Sequence, residues 1–547
     1  MKRISTLLFL FFSIHGIFAQ TAIPLPEVTA PQFRKDTVNI RSFGAIEDGL
    51  TLNTRSISEA IEAIHKKGGG VVMVQAGLWL TGPLVLKSNV NLHLETGATL
   101  LFTADFSQYP LVETNWEGLP QMRNQSPISA TGATNIAITG KGIIDGNGDV
   151  WRMVKRDKLT ETAWNKLIAS GGMLSDDKKT WYPTEKSLRG SRIQNPGVIS
   201  NSKTRAFYDS IKDFLRPNMV VLTSCKGILL EGVTFQNSPA WCLHPLMSED
   251  IVVSGITVKN PWYAQNGDGI DVESCKNVVI ENSVFDVGDD ALCMKSGRDA
   301  EGRKRGMPTE NVTITGCTVY HSHGGFVIGS EMSGGVRNIN VTNCTFIGAD
   351  IGLRFKTARG RGGVVENIFI ENIYMKDIPA EAILFDMYYM ARDPVALAGE
   401  TRALPKVEQK PVDESTPVFR NFHIRNVYCS GAETGIFVRG LPEMHVKDIV
   451  MENMVLQAKK GMDIQEASGM VFKNITILSK VTDPVIDIIQ SDNLLFDNIR
   501  FTSAPACVFR ISGDKNAGIT VQNTEMNSAS QKVKFELGAK QSMIKLQ

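Results

Sequence analysis

The most constraining feature of this chain is a short run of alternating aliphatic and polar residues that returns from its middle onward. The copies read GILLEGVTF (from Gly227), DIVVSGITV (Asp250), NVVIENSVF (Asn277), NVTITGCTV (Asn311), NINVTNCTF (Asn338) and NIFIENIYM (Asn367). The series goes on with NFHIRNVYC (Asn421), DIVMENMVL (Asp448), MVFKNITIL (Met470) and NLLFDNIRF (Asn493). Taking Ile228, Ile251, Val278, Val312, Ile339 and Ile368 as markers, the intervals are 23, 27, 34, 27 and 29 residues. Alternation is the signature of a strand with one buried face, and Asn and Gly supply the turns. A fixed period with several short strands per repeat denotes a solenoid whose coils stack at the inter-strand spacing, about 4.8 Å, around one aliphatic core. A leucine-rich repeat would need regular Leu and a helix in each repeat, and neither is present. The expectation is an all-β protein, a right-handed parallel β-helix, with the recurring Asn forming a turn ladder.

A stacked core needs an end cap. In TRSISEAIEAIHK (54–66), Ile57, Ala60, Ile61 and Ile64 fall at helical spacing, with Thr54 as the expected N-cap and Gly68–Gly70 beyond the helix. Three stretches break the rhythm, at about 104–131, 150–216 and 391–418; the second contains LTETAWNKLIAS, which reads as a helix. Insertions in a solenoid become loops on one face, often the binding face.

The first nineteen residues, MKRISTLLFLFFSIHGIFA, carry a basic start, an apolar run and a small residue at a cleavage position, so they read as a signal peptide. Residues 20–547 are then one exported β-helix domain, secreted or periplasmic. No later stretch is apolar enough to span a bilayer, and a net charge of +1 gives no global field for nucleic acid or membrane. Oligomeric state is not encoded legibly. Eight cysteines in an exported chain invite one or two disulfides, but Cys275, Cys293, Cys317 and Cys344 sit in or beside strands and suit buried wall positions equally well. No CxxC pair points to structural zinc. Asn311, Asn340 and Asn474 fit glycosylation sequons, yet the turn ladder accounts for them without sugar.

Chemistry concentrates in NGDGIDVESC (266–275), VGDDALCMKSG (287–297), SHGGFVIGSE (322–331) and GLRFKTARGRGG (352–363). Asp268 and Asp289 are one coil apart, so Asp268, Asp289 and Asp290 should be neighbours, and repulsion among them should raise the pKa of at least one. One protonated and one ionised carboxyl is what glycosidic cleavage requires. With Leu353 and Phe355 inward, Arg354 and Lys356 must project outward, which suits an acidic sugar. Lys295 and Arg298 flank the acid pair and are further substrate-contact candidates. Trp241 and His244 fit packing better than a sugar platform.

Taken in order, Asn266-Gly267-Asp268, Asp289-Asp290, Ser322-His323-Gly324 and Arg354-Phe355-Lys356 resemble the motif set of glycoside hydrolase family 28, the polygalacturonases. SFGAIEDGLTLNT, GPLVLKSNVNLHLETGATL and NSPAW extend the resemblance over residues 36 to 500. Ser322 and Gly267 depart from the family pattern by small-for-small changes. The resemblance implies a pectin-lyase-like β-helix that hydrolyses α-1,4-galacturonosyl linkages by an inverting acid/base mechanism without a cofactor. It implies Asp289 as the general acid, and Asp268 and Asp290 as the groups that hold and activate water. His323 would tune the cluster, Arg354 and Lys356 would bind galacturonate, and Asn266 would position Asp268. The insertions point to exo-action by closing one end of the groove. Alternatives are a rhamnogalacturonan or xylogalacturonan hydrolase of the same fold, a Ca²⁺-dependent pectate lyase and a non-catalytic polysaccharide-binding β-helix.

Overall fold

The computed structural model describes residues 22–389, 404, 407–501 and 504–547. The leader 1–19 and most of the 391–418 insertion lie outside the described residues. Short strands join into one 35-stranded sheet whose pairings are parallel, each strand bonding to its counterpart in the next coil, and the sheet winds as a right-handed β-helix. No helix among the described residues is long and apolar enough to cross a membrane.

The alternation sets the core directly. Ile228, Ile251, Val278, Val312, Ile339, Ile368 and Phe422 stand in register on successive coils. All are buried in one continuous core that runs the length of the solenoid. The turn ladder is equally literal. Asn277 Nδ2 donates to Asp250 Oδ1 at 3.0 Å, Asn311 to Asn277 at 3.0 Å, Asn338 to Asn311 at 3.2 Å and Asn367 to Asn338 at 3.1 Å. These residues hold φ near +58°, a left-handed conformation that Asn tolerates and most side chains do not. Asn474 belongs to a second such ladder. Asn340 does not: it lies mid-strand, and its amide donates to Ile23 O of the N-terminal segment.

The helix Thr54–Lys66 buries Ile57, Ala60, Ile61 and Ile64 against the first coils, as expected of a cap. Its N-cap, however, is Asn53 and not Thr54. Asn53 is drawn into the loop by bonds to Ile46 N and O, and Thr54 Oγ1 accepts from Gly82 N. All eight cysteines are free and buried, so none of the disulfides weighed above is formed. They act as small apolar residues of the wall.

The insertions do form extra structure, with tighter limits than the sequence indicated. Residues 128–131 are already a wall strand, paired with Leu84–Val85 and Val220–Thr223. The true departure is an antiparallel hairpin, Leu111–Trp116 with Leu119–Asn124. The second insertion adds a small three-stranded sheet and the helices Glu161–Ala169, Glu185–Ser191 and Arg205–Ser210. Glu161–Ala169 is the helix expected in LTETAWNKLIAS, with Thr160 Oγ1 capping Ala163 N.

Candidate active site

One face of the solenoid is a ladder of the strands Leu243–Leu246, Ile270–Glu273, Asp290–Lys295, Gly324–Ile328 and Leu353–Lys356. Ile270, Leu292, Phe326 and Leu353 stack inward, so period-2 geometry sends the residues between them outward. At the start of these strands, Asp268, Asp289 and Asp290 come together, one carboxylate oxygen of each lying within 4.8 Å of the others. The expected juxtaposition is present.

The three carboxyls differ in surroundings. Asp268 is buried, and its Oδ1 has no hydrogen-bond partner. Burial first, then the charge of Asp289, pushes its pKa well above the carboxylate range. Asp290 is as deeply buried, which alone would raise it, but Lys356 Nζ at 2.6 Å from Oδ2 and Arg354 Nη1 at 3.0 Å from Oδ1 hold it well below the usual range. Asp289 is the most accessible of the three, with 16 % of its side chain exposed. Its Oδ1 meets His323 Nδ1 at 3.2 Å, and this bond raises the pKa of the imidazole. His323 Nε2 faces Asp350 at 3.9 Å. The cluster thus contains a carboxyl whose pKa is raised by burial, a carboxylate held by two cations, and a more accessible carboxyl bonded to a histidine whose own pKa is raised.

Arg354 and Lys356 project from the wall as expected, while Leu353 and Phe355 enter the core. Both cations also lie near the Tyr389 ring, Lys356 Nζ at 4.8 Å from its centroid. Lys295 sits beneath the surface, 3.1 Å from Glu331 and 3.6 Å from Asp271, with its ammonium 4.7 Å from the Trp241 ring centroid. Asn266 has φ +55°, and its Oδ1 accepts from Arg216 Nη2 at 2.8 Å. No hydrogen bond joins it to Asp268 among the described residues, so any positioning runs through the backbone of the 266–268 turn. Trp241 and His244 are packed, edge to face at 5.1 Å, with His244 Nε2 on Glu273 at 2.9 Å. Arg298 holds Glu117 at 3.6 Å and donates its backbone N–H to Gly118 O at 3.4 Å.

Those last contacts tie the hairpin to the site. Trp116 stacks on Trp241, with centroids 6.0 Å apart and planes 9° apart, and the tip at Gly118 is seated so closely on Gly297–Arg298 that a Cβ there would lie 2.6 Å from Arg298 N. The hairpin is therefore seated on the wall at Trp241 and at Gly297–Arg298. Its residues Glu113, Thr114 and Asn115 line a cavity of about 780 Å³ together with Val221, Thr223 and Leu246.

A family model described as "Glycosyl hydrolases family 28" matches residues 190–415. The crystal structure of a hyperthermoactive exopolygalacturonase from Thermotoga maritima is 32% identical, with a TM-score of 0.65, and the likeness covers 82% of this chain and 93% of that one. This chain belongs to glycosyl hydrolase family 28. A probable polygalacturonase of Vitis vinifera is 31% identical over 64% of this chain and 63% of that protein, so this chain spans less than two thirds of that relative's length. An exo-poly-α-D-galacturonosidase of Dickeya chrysanthemi is 28% identical over 80% of this chain and 70% of that protein. The family 28 exopolygalacturonase of Yersinia enterocolitica, at 23% identity and TM-score 0.63, shares the fold. Within family 28 this chain is a glycoside hydrolase, and the carboxyl cluster is its candidate centre.

Sequence reasoning missed several residues of the site. Asp271 and Glu273 carry a signal, since alternation in GIDVE turns them outward once Ile270 and Val272 are inward. Arg216, Trp116 and Asp350 carry none: they reach the site from segments outside the four motifs.

Proposed function

We propose that the chain hydrolyses α-1,4-galacturonosyl linkages of polygalacturonate or oligogalacturonate, from a chain end and with inversion. The observation that carries this is the cluster of three carboxyls beside Arg354 and Lys356, with the Leu111–Asn124 hairpin stacked on the same wall through Trp116 and Trp241. Asp289 is the proton donor to the leaving oxygen, because it alone of the three is accessible, and His323 replenishes its proton. Asp268 and Asp290 hold the attacking water, and Asp290, the carboxylate of the pair, takes its proton as the new C–O bond forms and the bond to the leaving oxygen breaks. A buried carboxyl whose pKa is raised and a carboxylate gripped by two cations are both weak covalent nucleophiles, which favours water as the attacker. Arg354 retains N–H groups beyond those spent on Asp290, so it and Lys356 receive the sugar carboxylate next to the cleaved bond. A Ca²⁺ ion on these aspartates would have to displace both cations, so activity should survive a chelator. The relatives named as exo-acting support release from an end.

One observation favours a second stereochemical outcome. The separation of at most 4.8 Å is shorter than the ~6.5–9.5 Å general for inverting pairs and nearer the spacing of retaining enzymes. Proton NMR of the first turnover on trigalacturonate separates the two. Inversion gives the β-anomer of galacturonate first, and the α-anomer would require a glycosyl-enzyme. Viscosity that drops ahead of reducing-end release would overturn the exo reading. Export through cleavage after Ala19 belongs to the same proposal.

A further inference from the structure

Arg354 and Lys356 approach the aspartate cluster from the later coils. A second pair of cations stands on the opposite side. Arg216, at the end of the second insertion, donates Nη1 to Pro239 O (2.9 Å) and Gln265 O (2.8 Å) and Nη2 to Asn266 Oδ1 (2.8 Å). Arg123, on the hairpin, lies 3.7 Å above the Trp116 ring and donates Nε and Nη2 to Gln121 Oε1, at 3.1 and 2.6 Å. Each is 6 % exposed, and neither is ion-paired among the described residues. The two are close enough to repel one another, and Arg216 is close enough to Asp268 and Asp289 to feel their charge.

Burial of an unpaired guanidinium is costly, and burial pushes these two down to about 9 and about 10, so both still carry their charge at neutral pH. Their hydrogen-bond partners in the protein are all neutral acceptors, and Glu117, the nearby carboxylate whose charge both feel, is engaged by Arg298 at 3.6 Å. Two fixed forks with no carboxylate bonded to either among the described residues are completed by one from outside. Trp116 links them to the site floor, since it stacks on Trp241 and also lies 5.9 Å from Arg216.

We propose that Arg123 and Arg216 form a second hexuronate-carboxylate receptor, across the acid cluster from Arg354 and Lys356, which holds the terminal sugar that hydrolysis releases. This rests on the exo-acting hydrolase reading and adds the residues that select an acidic end group. The scissile bond then spans the aspartates, with one ring's carboxylate held on each side.

The test compares trigalacturonate with the analogue whose non-reducing terminal ring has its carboxyl reduced to a primary alcohol. In the wild type, the analogue should have a KM about 10–100-fold higher, the worth of a hydrogen bond to a charged group. Arg123→Gln should raise KM on trigalacturonate by a similar factor with little change in kcat, and leave the analogue where it was. Arg123→Lys, which keeps charge but not the fork, should fall between. Equal losses on both substrates, or none on either, would overturn the receptor. Because Arg216 also ties two loops together, its Gln variant is read by direct binding. Calorimetry of galacturonate on Asp289→Asn should show a site that Arg123→Gln and Arg216→Gln each remove while the melting temperature holds. If that binding is present but the wild type releases no terminal galacturonate, the receptor stands and the exo-hydrolase reading fails. If release occurs and binding is independent of both arginines, the receptor fails alone.

Discussion

At the residue scale, function turns on where protons reside in a packed group of carboxyls. Burial, with no hydrogen bond to its Oδ1, pushes the pKa of Asp268 up, whereas the two cations bonded to Asp290 hold its pKa down. Asp289→Asn should lower kcat by about 10²–10⁴-fold, the usual worth of a positioned proton donor, with the fold intact by circular dichroism. Near-normal turnover would remove Asp289 from the acid role. His323 bonded to Asp289 has its pKa raised above the ordinary histidine value of about 6.5. A raised histidine pKa means that the stabilising pair is fully formed below about pH 6.5 and is lost as pH rises through the folded value. The alkaline limb of kcat/KM should therefore lie above pH 6.5, and His323→Asn should lower activity and abolish that limb. An unshifted limb in the variant would assign it to another group. The three aspartates and the Arg-x-Lys pair were legible in the sequence because the coil period and the alternation place them, whereas His323 was legible only through the resemblance of Ser322-His323-Gly324 to a family motif. The identity of the carboxyl whose pKa is raised was not legible, because it depends on which oxygen each cation reaches.

At the scale of elements, two devices matter, the inward ladder and the hairpin. Each inward position is filled from the coils above and below, so loss of one side chain leaves a cavity that a stacked wall cannot close. Ile280→Ala, at a fully buried position, should cost about 2–5 kcal/mol in denaturant unfolding. A cost below 1 kcal/mol would mean that the core relaxes far more than a stack allows. The hairpin was visible only as a gap in the rhythm. Its antiparallel pairing, and the seat of Gly118 on Arg298, depend on contacts between segments far apart in the chain. Replacing Trp116–Leu119 by a short glycine turn should open the groove towards the 780 Å³ cavity, so that longer oligomers appear among the products by mass spectrometry. Unchanged single-sugar release would show that the hairpin does not set the mode of attack.

At the scale of the whole molecule, stability in a solenoid is a sum of coils and their neighbour contacts, so it need not be uniform. The N-terminal end is covered by the helix Thr54–Lys66, whereas the last strands, Gln531–Glu536 and Ile544–Leu546, are only half-buried. Hydrogen exchange should be fastest in these final coils and slowest through the strands at 270–328. Uniform protection to the C-terminus would mean that the solenoid unfolds as one unit. The coils that carry the candidate site lie in the middle of the stack, where both neighbours support them.

The sequence alone determined what repeats: the coil period, the buried face, the Asn ladder, the capping helix and the order of the four motifs. All of these are consequences of local alternation and spacing. The tertiary structure decided what depends on segments meeting from afar. Thr54 yields the cap to Asn53 because a loop bond claims that residue. The cysteines stay free because each is absorbed into the wall. Arg216 reaches Asn266 and Trp116 reaches Trp241 only once the insertions fold back on the solenoid. Period fixes what stacks, but no period governs where an insertion lands.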